Sequence, residues 1–150
     1  MNLKQQIDAD LKTAMLAGDK VLVTTLRGLK SAVLNMEIAK GARETGLPET
    51  EVIDILAKES KKRQESADMY TQGNSPERAA AELEEKSVIE KYLPKQMDES
   101  EISTVIDEIM KSMPEAGQGQ MGQIIGAVKA RTAGSADGGV IARLIKEKLA

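Results

Sequence analysis

The 150-residue chain contains no histidine, no cysteine, no tryptophan and no phenylalanine; its aromatic side chains are Tyr70 and Tyr92. Each absence removes a class of chemistry. Without histidine, the usual general base, the commonest metal ligand and the ordinary near-neutral pH switch are gone. Without cysteine, there is no disulfide framework, no thiolate metal site and no cysteine nucleophile for glutamine hydrolysis. A serine nucleophile activated by histidine is excluded in the same way. Aromatic platforms for unpaired bases are missing, so any nucleic acid would be held by its shape and backbone. No apolar run approaches the roughly 20 residues that span a bilayer, and the start, Met1-Asn2-Leu3-Lys4-Gln5-Gln6, has no secretory apolar core. The expectation is a soluble, cytoplasmic protein with no membrane association, no metal and no cofactor.

What is present favours helices, because a core of Leu, Ile, Val, Met and Ala packs helix against helix more readily than in sheets. Leu3, Ile7, Leu11, Ala14 and Met15 recur at helical spacing, with Asn2 as cap and Gly18 as stop, predicting a first helix over about 3–17. Asp19 caps a longer helix with the stripe Leu22, Leu26, Leu29, Val33 and Met36, ended by the loop that begins at Gly41. Pro48 suits the first turn of a third helix running to about Gln72. Its apolar face starts with Val52, Ile55 and Leu56, then meets Glu59, Lys62, Arg63 and Ser66 before apolarity returns at Met69 and Tyr70.

Ser75-Pro76-Glu77 opens a fourth helix, with Leu83, Val88, Ile89, Tyr92 and Leu93 as its apolar members and Pro94 as its end. Asp98-Glu99-Ser100-Glu101 reads as a capping box, and Ile102, Val105, Ile106, Ile109, Met110 and Met113 form the stripe of a fifth helix up to Pro114. Short helices follow at about 120–130 and 139–149. The expected fold is all-α with two helical subdomains: an N-terminal bundle at 1–93 and a C-terminal three-helix domain at 98–150.

Charge is uneven along the chain, although the formal net charge is only −3. Residues 1–97 carry 15 basic against 16 acidic side chains, residues 98–117 carry 1 against 6, and residues 118–150 carry 5 against 2. The balances are therefore −1, −5 and +3, and a polyanion would bind at the last segment.

That segment is also the most idiosyncratic. It contains Gly119-Gln120-Met121-Gly122-Gln123-Ile124-Ile125-Gly126 and then Gly134-Ser135-Ala136-Asp137-Gly138-Gly139 before the apolar repeat Val140, Ile141, Leu144, Ile145 and Leu149. Gly122 and Gly126, four apart on one helix face, would let another backbone come close, and helix packing is the expected use. The turn with Asp137 and Gly138 would cradle a phosphate or, as the expected reading, serve as a carboxylate cap that occupies its own donors. No Gly-Lys-Ser/Thr follows, so it is not a nucleotide loop.

These runs, with Tyr92-Leu93-Pro94-Lys95-Gln96-Met97, closely resemble the GatB/YqeY proteins over essentially the whole chain. The second half is similar to the tail domain of the B subunit of the glutamine-dependent tRNA amidotransferase. The resemblance implies a tRNA-binding or amidotransferase-associated accessory role, with tRNA and an amidotransferase or other translation-related protein as partners. The catalytic parts of that carbon–nitrogen ligase have no counterpart in the sequence, so intrinsic catalysis is not expected.

Within this frame Lys129, Arg131, Arg143 and Lys146 are the candidate RNA-binding residues, through phosphate pairing. The alternative for them is ordinary surface charge near helix C-termini. Glu59 and Arg63 are the candidate polar cluster, read either as an acid/base pair or RNA-facing ledge, or, as expected, an ion pair between helices. The rival to the RNA reading is a helical protein–protein adaptor that clamps a partner through the acidic helix or the grooves of the first bundle. A third reading, an enzyme acting on a small substrate, requires a concave pocket containing Glu59 and Arg63.

Overall fold

The computed structural model describes all residues, Met1–Ala150. The fold is all-α. It contains α1 (Leu3–Ala17), α2 (Lys20–Ala39), α3 (Glu49–Gln72), α4 (Pro76–Glu90), α5 (Glu99–Lys111), α6 (Met121–Thr132) and α7 (Gly138–Leu149), with a single 3₁₀ turn at Gln118–Gln120 before α6. No helix is long and apolar enough to cross a membrane. The chain divides into two compact units, Met1–Leu93 and Pro94–Ala150.

In the first unit, α1 and α2 form one antiparallel hairpin and α3 and α4 another. Asn2 and Gln5 make a capping box at the start of α1, Gly18 closes it at φ 71, and Asp19 caps α2. Two starts differ in detail from the sequence expectation. Pro48 stands just outside α3, where its carbonyl accepts from the Glu51 and Val52 amides at 3.0 and 3.1 Å; the extended ψ of 148° keeps it out of the first turn. Ser75 precedes α4 without a side-chain cap, and its carbonyl accepts from Ala79 N at 3.1 Å.

The core of this unit joins Ile7 and Leu11 of α1, Leu26, Leu29 and Val33 of α2, Val52, Ile55 and Leu56 of α3, and Ile89 of α4. Between Leu56 and Val88 no residue enters that cluster. The polar interruption seen in the sequence therefore marks where the α3–α4 hairpin leaves the core. Beyond it the two helices close on Ala67 and Ala79, small enough for close approach, and on Arg78 lying 5.9 Å above the Tyr70 ring.

The second unit packs Ile102 and Ile106 of α5, Ile124 and Val128 of α6, and Ile141, Leu144 and Ile145 of α7 into its own core. Asp98 and Glu101 form the expected capping box on α5. The entering strand of chain is pinned to the α6–α7 loop, with Met97 N donating to Ser135 O at 2.7 Å.

Candidate nucleic-acid interface

The α6–α7 turn is built by local chemistry. Ala133 and Gly134 adopt positive φ, 46° and 86°, to end α6, and Asp137 then accepts from Gly139 N at 2.8 Å and Val140 N at 3.1 Å to start α7. The carboxylate thus satisfies two of the free amides that would otherwise hold an anion, so the turn is a capped helix start. Gly138 has a separate use: a Cβ there would lie 3.5 Å from Lys129 Cε and 3.6 Å from Nζ, so the bare residue gives the Lys129 side chain its place beside the amino end of α7.

Close helix packing at Gly122 and Gly126 is not what the structure contains. Both are exposed, and a Cβ built on either meets nothing within 4 Å. The buried face of α6 is instead Ile124, Val128 and Thr132, and the two glycines fall on the other side. Gly119 is open in the same way. Gly122, Gly126 and Lys129 follow one another at steps of four and three, which places them along one face of α6, while Gly119 lies in the 3₁₀ turn that precedes it. The result is a ledge of bare backbone that ends in an ammonium group.

The four cations singled out in the sequence divide into two kinds. Arg131 pairs with Glu108, and Arg143 pairs with Glu99 and, at 3.1 Å, with Glu147. Lys148 is engaged by Asp107 at 2.8 Å in the same manner. Apart from Glu147 of α7 itself, the acids responsible are those of α5, the helix whose segment carries the −5 balance. Lys129 and Lys146 are exposed and have no carboxylate within ion-pair distance.

Glu59 and Arg63 belong to the first unit and serve its packing. Arg63 Nη1 donates to Glu59 Oε2 at 2.7 Å, and its Nε lies 3.9 Å from Glu85 Oε2 on α4. Thr25, fully buried on α2, reaches the other oxygen of Glu85 at 3.4 Å. The guanidinium is accommodated beside Gly28 of α2, where a Cβ would stand 3.5 Å from Nη2. The Glu59–Arg63 pair itself lies within α3, four residues apart; the contact between helices comes from Glu85, which with Thr25 and Gly28 was not singled out by the linear pattern. A shallow, open concavity of about 450 Å³ is lined by Met113, Pro114, Glu115, Ala116 and Gln120; neither Glu59 nor Arg63 lines it.

Three fungal proteins, each called "Altered inheritance of mitochondria protein 41, mitochondrial", are similar to the chain. That of Vanderwaltozyma polyspora is 32% identical over 108 residues, covering 71% of this chain and 57% of its own length. The Clavispora lusitaniae protein is 35% identical over 91 residues, 61% of this chain and 51% of its own. The Lachancea thermotolerans protein is 32% identical over 119 residues, 75% of this chain and 60% of its own. The chain therefore spans between about half and three fifths of these relatives. A family model described as "Yqey-like protein" matches residues 4–149, through both helical units, and the chain belongs to that family.

Proposed function

We propose that the protein is a tRNA-binding accessory factor associated with tRNA-dependent amidotransfer in the cytoplasm, and that α6 is the surface that meets the RNA. One observation carries the reading. Glycine in an exposed helix interior costs about 1 kcal/mol relative to alanine, and at Gly126 no neighbouring part of the protein recovers that cost; Gly122, in the first turn of α6, is bare in the same way. A backbone from outside the chain, lying against the bare ledge with a phosphate at Lys129, recovers it. Lys129 has no acid to release, so its ammonium is available to a phosphate without breaking an ion pair. Arg131 and Arg143 hold only exposed ion pairs, worth little individually, and can be exchanged for phosphate. Absence of aromatic platforms restricts the contact to shape and backbone.

Filter binding of bulk tRNA at two salt concentrations tests the proposal. Wild-type affinity should fall with salt, and Lys129→Ala should lower the slope of log affinity against log salt by about 1. Gly126→Leu is the sharper variant. Open space surrounds Gly126, so the fold should be retained or strengthened while the added side chain blocks the ledge. Unchanged tRNA affinity in Gly126→Leu would overturn the reading.

A further inference from the structure

The turn between α1 and α2 carries a surface used neither by the core nor by the ledge on α6. Gly18 takes φ 71, its amide and that of Asp19 return to carbonyls of Ala14 and Met15, and Asp19 at once caps α2. Two residues therefore join the helices, and the last turn of α1 with the first turn of α2 makes one rigid tip. On that tip Met15, Leu16 and Val21 are 50%, 91% and 38% exposed.

The charges around these three side chains are unlike those elsewhere on the hairpin. Away from the tip its lysines are all engaged: Lys4 with Glu37, Lys30 with Asp8, Lys40 with Glu51. At the tip Lys20, and on the neighbouring turns Lys12 and Arg27, are exposed and make no ion pair. The Arg27 guanidinium lies instead 3.9 Å from Met15 Sδ. Single exposed apolar residues are ordinary, but three near one helix–helix turn, with three unpaired cations around them against the one carboxylate of Asp19, which is engaged in capping α2, make a candidate binding surface.

We propose that this tip docks an acidic amphipathic helix of another protein: Leu16 and Met15 enter the apolar face of that helix, and Lys12, Lys20 and Arg27 meet carboxylates along its edges. Charge complementarity selects this occupant. A second copy packed tip to tip would set like charges against each other across the two-fold. A bilayer would receive Asp19, which stands between Leu16 and Val21 in the turn, along with the apolar side chains, and a carboxylate in the membrane is costly. At a protein surface the Asp19 carboxylate keeps its hydrogen bond to Leu22 N and needs no transfer into hydrocarbon. The proposal lies in the first unit and stands apart from the tRNA reading.

The test is an NMR titration of the full chain with a synthetic 18-residue helix bearing leucine on one face and glutamate beside it. The expected result is shifted amide signals at Leu16 and Val21, affinity that falls with salt, and about tenfold weaker binding for Leu16→Ser and for Lys12→Glu/Lys20→Glu. Leu16 is exposed enough that Leu16→Ser should leave the thermal midpoint unchanged. Equal binding of the same peptide with lysine in place of glutamate overturns the proposal, as do shifts confined to other surfaces or no binding at all. Leu16-dependent co-sedimentation with phosphatidylglycerol vesicles without peptide binding assigns the tip to a membrane. Leu16-dependent dimerisation of the chain alone assigns it to a second copy. Either result overturns the proposal.

Discussion

The Lys4 ammonium lies 2.9 and 3.0 Å from the two carboxylate oxygens of Glu37, a side chain wholly removed from solvent although Lys4 itself is 41% exposed. The pair fastens the start of α1 to the end of α2, and it is the one place where a full charge sits inside the core region. Stability there depends on keeping both partners or neither, because desolvation of the carboxylate is met only by its lysine.

Lys4→Ala should therefore cost about 2–4 kcal/mol, somewhat below the range for a fully buried pair since water reaches the lysine side. Lys4→Met combined with Glu37→Leu should recover most of that loss, because no stranded charge remains. Urea unfolding of the single and double variants, read as a coupling energy, decides it. Additive effects of the two changes would show that the carboxylate finds another partner.

Gly28 should discriminate by size. Gly28→Ala adds a Cβ at ordinary contact distance, 3.5 Å from Arg63 Nη2, and should be neutral or gain up to about 1 kcal/mol of helix preference. Gly28→Leu displaces the guanidinium from Glu59 and Glu85 and should lose about 1–3 kcal/mol. Thermal midpoints of the two variants, with Arg63→Ala as the control for the network, give the comparison.

Tyr92 donates its hydroxyl to Asp10 of α1, and burial, with this carboxylate beside it, holds the phenol proton well above the ordinary value. The sign follows from linkage: the unfolded chain releases the proton first, so stability from this group is complete below about pH 10 and declines as pH rises beyond it. Tyr92→Phe should lose about 1 kcal/mol at neutral pH and show a shallower alkaline decline. Parallel unfolding curves of the two proteins from pH 8 to 11 would contradict the assignment.

On α6, Gly126→Ala should stabilise the chain by about 1 kcal/mol, since the new methyl group meets no neighbour and the helix gains propensity. Chemical denaturation measures it directly. A loss of stability would mean that Gly126 has a packing partner inside the protein and would remove the argument for an external one.

The helices were legible in the amino-acid sequence because their signals are local. Apolar spacing such as Ile7, Leu11 and Ala14, caps such as Asp19, Asp98 and Asp137, and stops such as Gly18 act within one or two turns, and each does in the structure what its position implies. The resemblance carried by residues 119–139 and 92–97 identified the family for the same reason, as it is a property of order along the chain. Even the polar middle of α3 was visible, though not its consequence.

What only the tertiary structure decided depends on residues far apart in sequence. That Glu37 is buried requires Lys4, 33 residues away; that Arg63 is held requires Glu85 on α4 and a gap at Gly28 on α2. Periodicity marks Gly122 and Gly126 as sharing a face but cannot say whether a neighbour covers it, and the structure leaves it bare. Nor could charge counting tell that the acids of α5 would engage Arg131, Arg143 and Lys148 while Lys129 and Lys146 stayed free. Local free energy selects the helix, whereas burial and ion pairing are set by which faces meet, and that is fixed only once the two cores have closed.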